Sequence, residues 1–325
     1  MRLGLALPQL GGHSGADQIT SFARASEQLG YRSLWVGDRV LAPVAPSDLY
    51  PGGGSPQRPY PPEFRSVLDP VVVLAAAAAS TTTVRLASST LNAPWHNALL
   101  LARSLTSLDR LCGGRLDVGF GVGWLRDEYT ATGVPWQQRG SRLEEILDVL
   151  QELWTHNPAE YHGGHFQVPC AHVDLRPVQP GGPPVLLGGW SPAAMTRVGR
   201  RAAGWLSVHG IAADVMAQLW HIARPAAEQA GRDPDLLRRE LRINLHPGQD
   251  ARHAADAVAQ ACDSGVEGAF LDFQFATSSV EGRVARGNLT PGPPQNRLCR
   301  TQHNPFYVEP RIMSSGLVKV LVSGG

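Results

Sequence analysis

The sequence predicts a (β/α)8 barrel, a TIM barrel of the α/β class, with an atypical C-terminal tail. Three observations carry that expectation. Short apolar segments alternate with stretches of helical period, there are eight such segments over about 275 residues where ~250 is typical of the fold, and glycine or polar residues gather where the segments end. A doubly wound open sheet suits the pattern less well, because it rarely needs eight units and its phosphate loop should follow strand one.

The elements follow in order. Residues 2–7 read as a short apolar strand ending at Pro8-Gln9, and 16–29 as a helix with Ile19, Phe22, Ala23, Ser26 and Leu29 on one face. Gly30 stops that helix as a C-cap glycine does. Residues 33–37 form the second strand, ending on Asp38-Arg39. The connection at 40–67 is long and rich in Pro, Gly and Tyr, and structureless loops of that length tend to be lids or binding loops. Asp69 and Pro70 supply an N-cap and a first-turn proline for a helix through Ala79. Residues 84–88 are strand three, followed by Ser89 to Asn92 and a helix over 97–111.

The centre of the chain is the stretch 104–128. It reads as a helix end, a turn at Gly113-Gly114, a buried strand over 115–120 and a bend, Gly119-Phe120-Gly121-Val122-Gly123-Trp124. Ser141 is expected to cap the next helix, whose apolar face is Leu143, Ile146, Leu147, Leu150, Leu153 and Trp154. A small hairpin at 160–168, a fifth strand at 184–187 and a helix started by Ser191-Pro192 come next. Strands at 205–208, 241–245 and 268–273 alternate with helices at 213–230 and 251–263. Residues 1–286 are read as one barrel and 287–325 as an irregular Pro/Gly-rich tail, in which 317–322 alone suits a strand. Residues 277–288 offer only Val280 and Val284 as spaced apolars, with Gly282 and Gly287 weakening any helix. The seam between strands one and eight therefore calls for cover by the tail or by a partner subunit.

Composition excludes several classes. A formal net charge of +1 gives no electrostatic case for nucleic acid or an anionic membrane. No apolar run approaches the ~18 residues of a membrane span, and Met1-Arg2-Leu3-Gly4 leads straight into strand-like sequence, so a cytoplasmic location without a signal peptide is expected. Cys112, Cys170, Cys262 and Cys299 show no metal-ligand spacing and read as reduced, buried thiols, with no metal site expected. Lys319 is the only lysine, and with the abundance of Ala, Gly and Pro this suggests a GC-rich source.

In a parallel barrel, sites gather at the C-terminal ends of the strands. Those ends are Pro8-Gln9, Asp38-Arg39, 88–92, 121–124, 188–191 and His209. Glycine lets backbone approach a ligand closely, and Gly188-Gly189-Trp190-Ser191-Pro192 leads into a helix N-terminus suited to an anion. Two such corners together favour a phosphate-bearing cofactor over two plain turns.

These motifs resemble those of the luciferase-like monooxygenase superfamily, most closely its actinobacterial branch of coenzyme F420-dependent oxidoreductases. The resemblance rests on Gly4-Leu5-Ala6-Leu7-Pro8-Gln9, on Ser33 to Arg39, on Leu108 to Leu116, on Gly121 to Glu128, on Arg176-Pro177-Val178-Gln179 and on Gly188 to Ala194, in order over 2–273. It implies a barrel that binds coenzyme F420, or alternatively FMN. It also implies Asp38 beside the cofactor ring and Ser89-Thr90 at a bulge where a cis non-proline peptide supports the ring face. Asn92, Gly123, Trp124, Asp127, Gly188 and Gly189 match positions lining the cofactor or its phosphate tail. With Pro8, Gly121 and Ser191 from the strand ends, these are the candidate cofactor-binding residues; Asp38, Arg39 and His96 are the catalytic candidates. Some relatives carry His where this chain has Arg39, so the proton donor stays open among His13, His96 and His209, and the Arg39 guanidinium could instead clamp an anionic group. The implied activity is hydride transfer to or from a small organic substrate by a homodimer. An FMN-dependent monooxygenase of the alkanesulfonate type, served by a flavin reductase, and a non-catalytic flavin-binding barrel are the alternatives.

Overall fold

The computed structural model describes residues 1–11, 15–276, 306–312 and 318–324. In chain order it has β1 (Arg2–Ala6), α1 (Ala16–Gln28), β2 (Ser33–Val36), α2 (Pro70–Ser80), β3 (Arg85–Ser88), β4 (Leu91–Asn92), α3 (Ala98–Leu111) and β5 (Leu116–Gly121). Next come α4 (Arg126–Ala131), α5 (Arg139–Thr155), β6 (Ala159–His162), β7 (Gln167–Ala171), β8 (Val185–Gly188) and α6 (Pro192–Arg201). The order continues with β9 (Gly204–Val208), α7 (Ala213–Gln229), β10 (Arg238–Asn244), α8 (Ala251–Asp263), β11 (Gly268–Asp272), β12 (Phe306–Ile312) and β13 (Val318–Gly324).

Eight of these strands run parallel and close on themselves. The sheet order is β3-β2-β1-β11-β10-β9-β8-β5, and β3 pairs back onto β5 through Leu86 opposite Leu116 and Ala87 opposite Asp117. The barrel predicted from sequence is therefore the fold, with all eight predicted strands in the ring. Its interior is filled by Ala6, Trp35, Ala87, Leu186, Leu206 and Phe270, with Trp35 stacked on Phe270 at 4.4 Å. The outer faces of the strands and the inner faces of the helices share one larger core that includes Leu5, Leu34, Leu86, Leu105, Ile146 and Leu241.

The barrel floor is ionic. Asp117 takes the Arg85 guanidinium at 2.7 and 2.9 Å and that of Arg238 at 3.0 Å, and Glu240 meets Arg2 at 2.6 Å. This explains a boundary that differs from expectation. β10 begins at Arg238 rather than 241, because Arg238, Arg239 and Glu240 pair with β9 and two of them spend their charge in the floor. Polar side chains hid the first three residues of a strand whose apolar part was read.

Three further differences have local causes. α5 starts at Arg139, so Ser141 lies inside its first turn and donates to the Gln138 carbonyl at 3.0 Å instead of capping. Cys170 is exposed on β7, whereas Cys112 and Cys262 are buried, and Cys299 lies outside the described residues. The short helix α4 and the two-residue β4 had no periodicity long enough to read. Asp69 and Ser191 do cap α2 and α6, and Gly30 ends α1 at φ +87°. In the tail, β12 and β13 pair antiparallel from Phe306 opposite Gly324 to Ile312 opposite Val318, which places a strand where 317–322 suggested one. The weak helix weighed at 277–288 lies outside the described residues. Among the described residues no helix is long and apolar enough to cross a membrane.

Candidate active site

At the C-terminal rim of the barrel a cleft is bounded by the ends of β2, β3, β5 and β10 and by the 40–67 connection. Seven of the residues singled out from sequence line it: Asp38, Arg39, Ser89, Thr90, Asn92, Gly123 and Trp124. Tyr50 and Phe64 of the connection face them, and Arg242 and Gln274 close the far side.

Asp38 is the fixed point. Its Oδ2 accepts the Asn92 backbone N–H at 2.9 Å, and its carbonyl accepts Asn92 Nδ2 at 3.1 Å and Arg39 Nε at 2.8 Å. His96 Nε2 stands 3.7 Å from the same Oδ2, beyond hydrogen-bond range, and is buried with no other partner. Moving together by less than 1 Å would make that pair an Asp–His hydrogen bond. The backbone ahead of this corner is held by Gln9, whose amide donates to the Gly37 and Leu68 carbonyls and accepts the Gly37 N–H.

The Ser89–Thr90 peptide is cis, as the resemblance implied. Arg242 anchors it: Nη1 donates to the Ser89 carbonyl at 2.9 Å, Nη2 meets Asp272 at 2.5 Å and Nε reaches Asn244 at 2.8 Å. Asp272 outweighs burial and holds the Arg242 guanidinium above its usual range. The Thr90 side chain sits where two neighbouring strands lack one. A Cβ on Gly121 would stand 2.4 Å from Thr90 Oγ1, and one on Gly188 would stand 3.2 Å from Thr90 Cγ2. These glycines therefore make room for the Thr90 side chain. Gly123 is required for its conformation, with φ +67°.

Arg39 was singled out from sequence, but its partner was not. Its Nη1 lies 2.9 Å from Glu128 Oε2, and its guanidinium spans Trp124 at 5.1 Å and Phe64 at 5.8 Å from the ring centres. Burial pushes Arg39 below its usual value despite Glu128 and Asp38. Burial pushes Glu128 up to about 7 against the pull of Arg39 and of the Val40 N–H. Tyr50 packs edge-on against both Phe64 at 5.3 Å and Trp124 at 5.6 Å, so the connection closes over Arg39 as an aromatic cap.

Other sequence-singled residues stand elsewhere. Asp127 does not line the cleft: it accepts the Ser47 N–H at 2.8 Å and the Ser47 hydroxyl at 3.1 Å, fastening the 40–67 connection. Pro8 is buried beside Gln9, away from the cleft wall. Gly188 ends β8 and Gly189 follows it, while Ser191 caps α6, is exposed and accepts the Ala194 N–H on its hydroxyl at 3.2 Å. His209 is exposed and pairs with Gln260 at 3.3 Å, so it is not at the cleft, and His13 lies outside the described residues. No group of three or more His, Cys, Asp or Glu suited to a metal occurs among the described residues. Arg242 and Glu128 were missed, since a lone Arg in a strand and a Glu in an unrecognised helix carry no signal of their own.

The cleft lies where parallel barrels place their ligand sites, at the C-terminal ends of the strands. The family model for luciferase-like monooxygenases matches residues 1–298, and the chain belongs to that family. An uncharacterised protein of Mycobacterium tuberculosis is 33% identical over 185 residues, which is 57% of this chain and 65% of that protein, so the match spans just under two thirds of that relative. The monooxygenase RslO1 from Streptomyces bottropensis superposes with a TM-score of 0.65 at 23% identity, covering 89% of this chain and 83% of that one. An F420-dependent secondary alcohol dehydrogenase, solved with an F420–acetone adduct, gives a TM-score of 0.62 at 18% identity over 89% of this chain and 82% of its own.

Proposed function

We propose that this protein is a deazaflavin-dependent oxidoreductase that moves a hydride between coenzyme F420 and a small organic substrate. The observation that carries the reading is the convergence of Asp38, Arg39, Thr90, Trp124 and Arg242 on one cleft at the C-terminal rim. The residues present fit a planar cofactor ring. Thr90 is seated by two glycines, the Ser89 carbonyl is clamped by Arg242, and His96 keeps one buried nitrogen unpaired beside Asp38.

When bound, the deazaflavin supplies the hydride chemistry, and the protein supplies binding, orientation and a proton. Ser89, Thr90, Asn92, Gly123 and Trp124 would hold the ring. Asp38 faces His96 Nε2, which would leave the other ring nitrogen of His96 to donate the proton. Arg39 presents a cation to an oxygen of the substrate, and Tyr50 and Trp124 wall the site against water. The 40–67 connection acts as the lid. Gly188 and Gly189 after β8 and Ser191 at the cap of α6 would receive the anionic tail of the cofactor. A homodimer would cover the barrel seam, and the protein would work in the cytoplasm.

Titrating the purified protein with coenzyme F420 and, separately, with FMN tests this reading. Saturable one-to-one binding of F420, tighter than that of FMN, is expected. Binding of FMN alone would replace the reading with an FMN-dependent monooxygenase that depends on a flavin reductase, and binding of neither would leave a barrel without redox chemistry.

A further inference from the structure

Two buried glutamines meet just beyond the ends of β1 and β11, and only one of them has its amide fully used. Gln9 accepts the Gly37 N–H on Oε1 and donates from Nε2 to the Gly37 and Leu68 carbonyls. Gln274, 2% exposed, accepts the Gln9 N–H at 3.2 Å and the Leu10 N–H at 2.8 Å, both on Oε1. Its Nε2 has no partner among the described residues. That nitrogen is not sealed in as Arg39 Nη1 and His96 Nε2 are, and Gln274 lines the cleft.

The partners decide which end of the amide meets the cleft. Gln9 and Leu10 both offer N–H groups, and only the carbonyl end of an amide can accept them, so the NH2 end is the one left for the cleft. The residue is also held in place: its own N–H donates to Asp272 Oδ1 at 2.9 Å, and Asp272 Oδ2 is taken by Arg242. Arg242 lines the same cleft, but each of its nitrogens already has a partner in Asn244, Ser89 or Asp272. Joining the ends of β1 and β11 needs only an acceptor, which a carboxylate would supply as well. The amide adds two donors, and donors enclosed in a cleft cost stability unless something accepts from them.

We propose that Gln274 is a cofactor-binding residue whose Nε2 donates to a carbonyl oxygen on the pyrimidinedione edge of the bound ring. Deazaflavins and flavins both carry that edge, an N–H flanked by two carbonyls, so one donor serves coenzyme F420 and FMN alike. Hydrogen bonds to the ring are among the means by which a protein orients and tunes such a cofactor. A donor whose carbonyl end is already fixed loses little freedom on binding, which makes it a preorganised contact.

That a tricyclic cofactor occupies the cleft rests on the reading above. The test uses whichever of coenzyme F420 and FMN the natural protein binds, so a preference for FMN ends that reading and leaves the role of Gln274 standing. Gln274→Glu keeps an oxygen for the Gln9 and Leu10 N–H groups and turns the donor that meets the cleft into an acceptor. Its thermal melt should match that of the natural protein, while cofactor affinity in a fluorescence titration falls about tenfold or more, the scale of one hydrogen bond lost with its acceptor left facing another oxygen. Gln274→Met removes the donor without adding charge. It should lose affinity about fivefold or more, on a protein that melts lower because the Gln9 and Leu10 N–H groups lose their acceptor. Natural affinity in Gln274→Glu overturns the proposal, and so does a melt that falls with the affinity, which would make the residue a strut between β1 and β11. Natural affinity in a folded Gln274→Met overturns it too, since the loss in Gln274→Glu would then be charge repulsion. If Gln274→Met does not fold, Gln274→Glu decides. Binding of neither cofactor to the natural protein ends both readings.

Discussion

Arg39 and Glu128 face each other at 2.9 Å beneath the aromatic cap, the arginine side chain 9% exposed and the glutamate not at all. Removing one partner of a buried pair strands the other, at a cost of roughly 3 kcal/mol or more. Arg39→Ala should therefore lower the urea stability by about 3 kcal/mol at pH 8. The cost should shrink at pH 5.5, where Glu128, lifted to about 7, is already neutral in the natural protein. A loss independent of pH would mean that the pair is not the source.

Ser88 does the work of a ladder rung where the barrel opens. β3 and β5 pair only at Leu86 and Ala87, and beyond them the Ser88 hydroxyl both donates to the Gly119 carbonyl and accepts the Gly119 N–H, each at 2.9 Å. Ser88→Ala leaves two buried backbone groups unpaired, so a destabilisation of about 2–3 kcal/mol is expected in chemical denaturation. A loss below about 0.5 kcal/mol, the lower bound for one hydrogen bond, would show that the rung is redundant.

Glu27 predicts an acid-side transition. Burial pushes its carboxyl up, but the Thr83, Val84 and Thr82 N–H groups and the Thr83 hydroxyl bring it down to about 2 from 4.5. Because the folded value is depressed, the stabilisation is present above the unfolded value and lost as pH falls through the folded one. Glu27→Gln should cost about 1–2 kcal/mol at pH 7 and close to nothing near pH 2. Thermal melts of the two proteins across that range should converge; parallel curves would rule the contact out as an ionic one.

His96 separates proton supply from binding. His96→Gln should leave coenzyme F420 affinity within about twofold and lower turnover about 100-fold or more, the usual contribution of a general acid. A variant with full turnover would remove His96 from the catalytic group and return the proton to another donor.

The fold was legible from sequence because each strand–helix unit carries its own period and punctuation: Gly30, Asp69-Pro70 and Ser191-Pro192 ended or started helices where they were expected to. The site was legible only in part. Asp38, Arg39, Ser89, Thr90 and Asn92 could be collected because strand ends of a parallel barrel converge. Arg242 could not, since its meaning depends on Asp272 one strand away, and Glu128 depended on a six-residue helix with no period. Asp127 shows the converse. It lies within a matching motif, yet its partner is Ser47, a contact that only the folded lid brings about.

The seat of the ring can be tested by one pair of variants. Gly121→Ala puts a methyl 2.4 Å from where Thr90 Oγ1 stands, and Thr90→Ala removes that atom. Coenzyme F420 binding, measured by fluorescence titration, should fall at least about tenfold in Gly121→Ala, or 1.4 kcal/mol, and recover in part in the double variant, which lifts the clash but also removes a side chain that holds the ring. Affinity unchanged by Gly121→Ala in a folded protein would contradict the cleft beside Thr90 as the place where the cofactor ring sits.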